Sequence, residues 1–318
     1  MSNVPNTDNF SLQDVINVVG GVSLSTAFAN SIDSYFDPIY KGSKDRLSNF
    51  RNYGQTGFNL VNTSILGDES ITGIELSSNG SYLYLLYGAG YIRLYTLSSP
   101  FNVSTRSSTY QQLNTPVVGS LFLVPDETKI IICTRAGHRI YSMNFSSSNN
   151  LSTYTGTTGY DYPLIYPSSM SFDPSGYTMT ASGYGVGSQI SNITVTTHCN
   201  TPFNITAEYE GEYGLSTLKD FPPIGFEFNS DGSKYYQVFQ DRLVFPYQNL
   251  VCTLSSFAIS NYIPDSTNIL KVDTYVLTKP SVNAIIADFC LSKGKGEVYI
   301  LWFDISNIRI TTIQQYSL

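Results

Sequence analysis

The residues that most often carry catalysis are scarce in this chain, which has two histidines among its 318 residues. Neither His138 nor His198 stands in a metal-binding motif such as HExxH. His198 is followed by Cys199, but adjacent residues of a strand point to opposite faces of a sheet. A catalytic dyad is therefore not expected here, and both side chains are predicted to be structural.

The four cysteines form no CxxC pair, and each lies in an apolar or threonine-rich run typical of a strand. They are Cys133, Cys199, Cys252 and Cys290. Buried free thiols are the favoured interpretation, because free cysteine behaves as a small apolar side chain. A disulfide between Cys199 and Cys252 is the alternative, since each precedes a recurring phenylalanine.

The glycine-rich stretch 183–188 resembles a phosphate-binding loop only in composition. A phosphate loop opens onto a helix, whose N-terminal amides hold the anion. Here residues 189–195 have the β-branched pattern of a strand instead. We therefore predict a hairpin at this position.

Acidic residues offer a third kind of chemistry. Glu208, Glu210 and Glu212 alternate along the chain and would line one face of a strand. Calcium binds such oxygens, but a solvated edge strand protected by charge is the favoured interpretation. Glycoside hydrolases pair two carboxylates in space, and the sequence indicates no such pair. We expect no catalytic residue, no metal ion and no cofactor.

Composition narrows the class of protein. Charged residues make up 13% of the chain and aromatic residues 14%, with 25 tyrosines, which is the opposite of the bias of disordered chains. A net charge of −7 argues against binding duplex nucleic acid, which needs clustered lysine and arginine. Residues 15–24 are too few to span a bilayer, and no secretion signal is recognised, so no membrane span is expected.

Residues 1–54 are predicted to contain two short amphipathic helices. A weaker form of the capping box begins at Ser11, and apolar residues then recur at helical spacing to Val19. The second helix is predicted from Ser23 to Phe36, where an Asp-Pro pair stops it. Two such helices cannot form a core alone, so they must pack on the rest of the chain or on another protein.

The rest of the chain is a degenerate repeat. Its clearest copy covers residues 73–105 and contains Asn79-Gly80, a pair typical of hairpin turns. The central elements begin at Leu76, Leu123, Phe172, Phe228 and Leu291. The closing elements are predicted at Phe58, Phe101, Asn150, Phe203 and Phe257. This spacing gives each unit about four strands, the size of a propeller blade.

The middle strands of the repeat are apolar on both faces. In residues 82–87 neither alternating set is polar, and residues 130–133 behave alike. Such strands must be covered on both sides, as in blades stacked around an axis. We predict an all-β fold, a β-propeller-like domain of about five four-stranded blades over residues 55–318, with the helical segment before it. The strand at Phe58 would close the ring beside residues 308–313. A different blade number or an open array is the alternative.

Two resemblances extend this interpretation. The pattern F/L-x-x-D/N-G-S-x-Y, followed by Y-x-L-S-x-P-F-N-V-S-T, resembles β-propeller-like repeats of phage and marine-virus structural proteins. The fifth unit departs from it in its turn and in lacking the Pro-Phe-Asn closure. The leader, with YFDP at 35–38 and LSNFRNYG at 47–54, is similar to a segment of virion proteins from phages of Bacteroidetes hosts.

The second resemblance implies a role in attachment to the particle. It would be carried by Leu47, Phe50, Arg51 and Tyr53. The alternative is that Phe50 and Tyr53 plug the base of the propeller.

The resemblances imply a non-enzymatic structural protein of a bacteriophage virion, placed on the capsid or tail as a spike, fibre or decoration. Its partners would be other virion proteins through residues 1–54 and a host surface glycan or protein receptor, with several copies per particle. The alternative is a virion-borne propeller enzyme that degrades envelope polysaccharide with carboxylates at the channel mouth. A bacterial surface or secreted binding module is a third interpretation, against which the missing secretion signal argues.

Overall fold

The computed structural model describes residues 11–19, 21–31, 46–50, 59–67, 70–115, 117, 119–134, 139–161, 165–185, 192–205, 224–240, 252–258, 270–292, 296–306 and 310–317. The chain divides into two compact units, Met1–Leu60 with Tyr316–Leu318, and Val61–Gln315. The helices belong to the first unit and nearly all of the sheet residues to the second. Within the described parts, no helix is long and apolar enough to cross a bilayer.

The first unit contains helix α1 (Leu12–Val19), helix α2 (Leu24–Asn30) and a 3₁₀ turn at Leu47–Phe50. The predicted cap of α1 is confirmed, because the amide and hydroxyl of Ser11 donate to Asp14 Oδ2 at 2.6 and 2.8 Å. The backbone hydrogen bond from Ser11 lowers the pKa of Asp14. The carboxylate of Asp14, in the first turn of the helix, therefore satisfies the amide of the residue that precedes the helix.

Helix α2 ends at Asn30, earlier than predicted, and residues 32–36 of the predicted helix lie outside the described residues. Ser31 has an extended backbone, with φ −74° and ψ 148°. Its amide and hydroxyl both donate to the carbonyl of Phe28, at 3.2 and 2.7 Å. Serine side chains compete for backbone carbonyls in this way, and they therefore favour helix ends over helix interiors.

Nineteen strands form five sheets in the described residues, four with four strands and one with three. The first sheet is β2 (Ile71–Leu76), β3 (Tyr82–Tyr87), β4 (Tyr91–Leu97) and β5 (Arg106–Asn114). The second is β6 (Ser120–Leu123), β7 (Lys129–Cys133), β8 (Arg139–Phe145) and β9 (Tyr154–Asp161). The third is β10 (Ile165–Phe172), β11 (Thr178–Gly185) and β12 (Asn192–His198).

The fourth sheet is β13 (Gly225–Phe228), β14 (Lys234–Gln240), β15 (Cys252–Ala258) and β16 (Leu270–Val276). The fifth combines β17 (Ala284–Leu291), β18 (Glu297–Asp304), β19 (Thr311–Ser317) and β1 (Asn59–Gly67). The first strand of the repeat region therefore pairs with the last one. The predicted pairing of the two ends is confirmed, although Phe58 lies outside the described residues.

The first strands of the five sheets form a closed ring. Strand β17 contacts β2, β2 contacts β6, β6 contacts β10, β10 contacts β13, and β13 contacts β17. Each sheet extends away from this ring through successive neighbouring strands. The predicted β-propeller-like repeat domain is therefore confirmed.

Strand β3 explains why the middle strands are apolar on both faces. Leu83 and Leu85 pack in one cluster with Leu301 of the fifth sheet. Tyr84 packs in a different cluster with Ile132 of the second sheet. Because successive side chains of a strand point to opposite faces, one strand fills two interfaces between sheets.

The central elements are confirmed as the ends of the innermost strands. Leu76, Leu123, Phe172, Phe228 and Leu291 are the last residues of β2, β6, β10, β13 and β17. Tight turns follow them, and Gly80 takes a φ of +70° in the first. Glycine suits this left-handed conformation because it has no Cβ.

Two closing elements form 3₁₀ turns, at Val103–Thr105 and Leu151–Thr153. Asn102 and Asn150 cap them, each with its side-chain oxygen 3.1 Å from the amide two residues later. The element predicted at Phe257 is wrong, since this residue lies inside β15. Its buried ring stacks on Tyr235 of β14 at 4.8 Å, so it serves as a core side chain of a strand.

Candidate functional site

Two of the four predicted docking residues lie in the described leader. Leu47 and Phe50 begin and end the 3₁₀ turn, which Asn49 stabilises by accepting the amide of Arg46 at 2.8 Å. Phe50 is fully buried, and its ring lies 4.5 Å from that of Phe28 in α2. Arg51 and Tyr53 lie outside the described residues. The docking role of the four residues stays a prediction.

The ring of innermost strands contains carboxylates that the repeat pattern did not identify as a group. Asp288 of β17 is 1% exposed. Its Oδ2 accepts the amide of Ile74 in β2 at 3.1 Å, and its Oδ1 accepts the hydroxyl of Ser120 in β6 at 2.9 Å. One side chain therefore connects three sheets, and both of its oxygens bind protein donors.

The same type of connection recurs around the ring. Glu227 of β13 accepts the amide of Leu291 in β17 at 2.6 Å. On the other side of β13, the amide of Phe226 donates to the hydroxyl of Ser169 in β10 at 2.6 Å. Polar side chains that bind the backbone of the next sheet thus hold adjacent innermost strands together.

Glu127 makes an equivalent connection at a turn. Its Oε1 accepts both the amide and the hydroxyl of Ser78 at 2.6 Å, and its Oε2 accepts the side-chain amide of Asn149. The side-chain oxygen of Asn149 accepts a hydrogen bond from the hydroxyl of Tyr84 at 2.8 Å. The first and second sheets are joined by this hydrogen-bonded chain of polar groups.

A cavity of about 230 Å³ lies where the innermost strands of four sheets end. Aromatic rings form much of its wall, and the ring of Phe172 lies 5.3 Å from Phe122 and 5.5 Å from Phe203. Two buried carboxylates, Asp173 and Glu227, also line it. The cavity therefore combines a ring-lined wall with acidic groups.

Asp173 is held by its own turn. Its Oδ1 accepts the amide of Thr178 at 2.7 Å, and its Oδ2 accepts the amide of Ser175 at 3.1 Å and the Ser175 hydroxyl. These contacts fix the carboxylate as a turn-forming group. In the described parts of the chain, no three His, Cys, Asp or Glu side chains are grouped closely enough to hold a metal ion.

Three described tyrosines are exposed, and each lies outside the ring of innermost strands. They are Tyr110 at 46%, Tyr154 at 39% and Tyr177 at 42%. Tyr110 lies in the run 108–112 of β5, in which every residue is exposed and none is charged. Residues 108–112 of the outer strand of the first sheet therefore form a polar, uncharged surface that includes an aromatic ring.

An arginine lies among the tyrosines of this sheet. The Cζ of Arg93 is 4.6, 4.8 and 4.3 Å from the ring centroids of Tyr87, Tyr91 and Tyr110. Its Nε donates to Gln112 Oε1 at 3.0 Å. The guanidinium is thus packed against aromatic faces by cation–π contacts. We use the name Tyr–Arg cluster for Arg93 and the four residues that contact it, namely Tyr87, Tyr91, Tyr110 and Gln112.

The cysteines and the glycine-rich stretch have the structural roles that the sequence predicts. All four cysteines are buried and free, so the buried-thiol prediction is confirmed and the Cys199–Cys252 disulfide does not form. The predicted hairpin is confirmed by the pairing of β11 with β12, in which Tyr184 faces Asn192. His198 ends β12. His138 and the three alternating glutamates lie outside the described residues.

Sequence reasoning missed Asp288, Glu127 and Arg93. An acidic residue inside the apolar run of 284–291 was the available signal for Asp288. The arginine inside the aromatic run of 91–97 was the signal for the Tyr–Arg cluster. Most partners of these residues come from other strands or turns, and a single sequence does not identify them.

Comparisons with known proteins give little on function. The sequence matches no protein-family model and no curated protein. Among solved structures, the chain is similar to that titled "Iodide structure of Trichoderma reesei Carbohydrate-Active Enzymes Family AA12", with 12% identity and a TM-score of 0.39. The match covers 82% of this chain and 96% of that one.

Proposed function

We propose that the chain is a non-enzymatic structural protein of a bacteriophage virion, acting in particle assembly and host attachment as a spike, fibre, capsid or tail decoration. The observation that carries the proposal is the bonding of the carboxylates near the ring. Both oxygens of Asp288 accept donors from neighbouring sheets. Both oxygens of Glu127 are also occupied, one by Ser78 of the first sheet and the other by Asn149 of its own sheet. A general acid or base must instead reach a substrate proton. The bonding of these two carboxylates therefore favours a structural role over a catalytic one.

The outer surface supports the attachment part of the proposal. Residues 108–112 of β5 are exposed and uncharged, with hydroxyl and amide groups around the ring of Tyr110. Tyrosine and serine make adaptable polar contacts at little conformational cost, and they are common in binding surfaces. The receptor we propose is a glycan or protein on the host surface.

The leader provides the proposed docking segment. Phe50 would fix the 3₁₀ turn through its contact with Phe28, and Leu47, Arg51 and Tyr53 would contact another virion protein. The N-terminal resemblance supports this assignment. Several copies per particle are expected, because virions are symmetric.

Mass spectrometry of purified particles tests the proposal. We expect the chain among the virion proteins, in several copies. Particles assembled with Arg51→Ala and Tyr53→Ala should contain fewer copies, while an Arg139→Ala variant, altered at an exposed side chain outside the leader, should be incorporated normally. Particles of the encoding phage that lack the chain would refute the proposal.

A glycan-degrading enzyme is the second candidate, because Asp173 and Glu227 both line the cavity. Glycoside hydrolysis requires two carboxylates on either side of the scissile bond. Incubation with host polysaccharide, followed by a reducing-end assay, separates the two functions. New reducing ends that disappear in Glu227→Gln would favour the enzyme, whereas no product is expected for the scaffold.

A further inference from the structure

The outer edge of the fifth sheet is an uncharged strand. Among the described strands, β1 stands at the end of the sheet order beside β19, so one of its two edges is paired and the other is open. Its nine residues, NLVNTSILG, include no charged residue and no proline. Charged side chains and prolines are features that protect sheet edges from pairing with another chain. The outer strands of the first, second and fourth sheets do carry charges, at Arg106, at Asp161, and at Lys271 and Asp273.

The two faces of β1 have different surroundings. Asn62 donates to Oδ1 of Asn102, which caps the closing turn of the first sheet, at 3.1 Å. On the same face, Leu66 packs against the apolar cluster shared by the first and fifth sheets. The other face is exposed and bears three β-branched side chains, Val61, Thr63 and Ile65, of which the first is 55% and the last 69% exposed. The strand is therefore anchored on one face and open to solvent on the other.

The sequence of β1 is nearly symmetric about Thr63. Residues at equal distances on either side of it are alike in type: Asn62 and Ser64, Val61 and Ile65, Leu60 and Leu66. In an antiparallel pair of two such strands centred on Thr63, apolar side chains face apolar ones and polar side chains face polar ones. No like charges meet, because the strand has none. A second copy of β1 is thus a complementary partner for the first.

The backbone also permits this pairing. The amide of Thr63 donates to Asn62 Oδ1 at 2.8 Å. This bond is kept when the two Thr63 residues form a non-hydrogen-bonded pair, because Asn62 of one copy and Ser64 of the other then exchange the backbone hydrogen bonds. The Cα atoms of such a pair are about 4.5 Å apart, so the two Thr63 side chains are direct neighbours.

We propose that β1 pairs with the β1 of a second copy of this chain, antiparallel and centred on Thr63. The two fifth sheets then form one eight-stranded sheet across a two-fold axis. Because both copies use the same strand, the contact closes on itself and gives a dimer instead of a fibre. The inference concerns the chain in solution and does not depend on the virion proposal.

Sedimentation equilibrium of the full chain at low salt tests the inference. We expect a species of twice the mass of one chain to dominate at about 100 µM and to dissociate on dilution, because one pair of strands makes a small interface. Thr63→Lys and Thr63→Glu each place two like charges opposite each other, so each variant should dimerise at least about tenfold more weakly. An equimolar mixture of the two variants should restore the dimer, since lysine then faces glutamate.

Thr158 provides the matched control, because it is an exposed threonine on β9, the outer strand of the second sheet. Thr158→Lys and Thr158→Glu should dimerise like the parent. Thermal unfolding of all four variants should match that of the parent, since both positions are exposed. In the parent, hydrogen exchange of the amides of residues 61–65 should be slower in concentrated than in dilute solution.

A parent chain that stays monomeric at the highest concentration would overturn the inference, because another partner or none would then cover β1. Thr63 variants that dimerise like the parent, or a mixture that does not restore the dimer, would equally exclude a pairing centred on Thr63. The virion proposal is tested separately, since a dimer in solution is compatible with particles that contain the chain and with particles that lack it.

Discussion

One turn of the repeat is built from two different pairs of residues. In the first sheet, Gly80 has a φ of +70°, and the ring of Phe101, with a φ of +63°, packs over it. In the second sheet, Glu127 and Asn149 take the equivalent places, with φ values of +60° and +52°. A hydrogen bond between the two side chains replaces the ring contact. The backbone geometry is retained while the chemistry of the contact changes.

This substitution of one pair for another predicts an energetic coupling. Glu127→Gly and Asn149→Phe should each lower the free energy of unfolding, because each leaves the other residue with the wrong partner. The double variant recreates the pairing of Gly80 with Phe101. We expect it to be more stable than the sum of the single changes by about 1 kcal/mol or more, as measured by urea unfolding. Additive effects would contradict the equivalence of the two pairs.

The close packing of Phe101 on Gly80 predicts a large cost for any side chain at position 80. A Cβ at this position would lie 2.4 Å from the ring of Phe101, and the positive φ adds backbone strain. Gly80→Ala should lower the free energy of unfolding by about 2–4 kcal/mol. Gly296→Ala is the control, since Gly296 has a φ of +64° and nothing within 4 Å of its Cβ position. It should cost about 1 kcal/mol, and equal losses would mean that the ring contact is unimportant.

At the scale of elements, buried polar bonds hold the innermost strands together. These strands are short, as in the four-residue β6 and β13, and their backbones belong to different sheets. The side chains of Asp288, Glu227 and Ser169 reach the main chain or a hydroxyl of the next sheet. Apolar contacts between sheets supply burial, and these bonds specify which strands are neighbours.

Asp288→Ala should therefore destabilise the ring strongly. It leaves the amide of Ile74 and the hydroxyl of Ser120 buried without their acceptor, at a cost of about 3 kcal/mol in unfolding free energy. Asp288→Asn keeps one acceptor oxygen and should lose less.

An exposed carboxylate is the control for this prediction. Asp161 is 70% exposed and pairs with Arg139 at the surface. Asp161→Ala should leave the urea midpoint essentially unchanged, because exposed ion pairs contribute little. If Asp288→Ala behaved in the same way, the connection between three sheets would have no energetic role.

Some elements were predictable from the sequence and others were not. Strand β3 was predictable, because YLYLLY is apolar on both faces and follows an Asn-Gly turn. The end of α2 was not, because the serine at position 31 closes the helix through local hydrogen bonds. Phe257 resembled a closing element, although it lies in the middle of β15 and its ring packs on Tyr235 of β14. Residue type indicates burial here, but it does not separate a turn from a strand.

The Tyr–Arg cluster and the acidic connections were unpredictable for a different reason. Arg93 lies 17 residues before Tyr110, and Asp288 lies 214 residues after Ile74. Contacts at such separations depend on the register of strands and on the order of sheets. The repeat predicts that the sheets exist and how they follow one another. The partners of Arg93 arise from the register of strands within one sheet, and those of Asp288 arise when the ring closes.

The β-propeller-like domain buries thiol and phenol groups, and their burial makes its stability depend on pH in alkaline solution. Burial raises the pKa of Cys199 to about 11, and it also raises the pKa of Tyr84, Tyr235 and Tyr299. All four groups are neutral in the folded state and release protons more easily when unfolded. Their contribution to stability is complete below about pH 9 and is lost as the pH rises through the folded pKa values.

We therefore expect the melting temperature to fall steeply between pH 9 and pH 11, the range over which the Cys199 thiol ionises in the unfolded and then the folded chain. Thermal unfolding monitored by circular dichroism measures this dependence. In Cys199→Ala the early part of the fall should be smaller, because one of the linked protons is removed.

At pH 8 a thiol reagent should label the native chain slowly and all four cysteines after denaturation, since each is buried. Fast labelling of the native chain would show that the sheets open readily. In the melting experiment, a melting temperature independent of pH up to 11 would contradict the burial of the Cys199 thiol and the tyrosine hydroxyls.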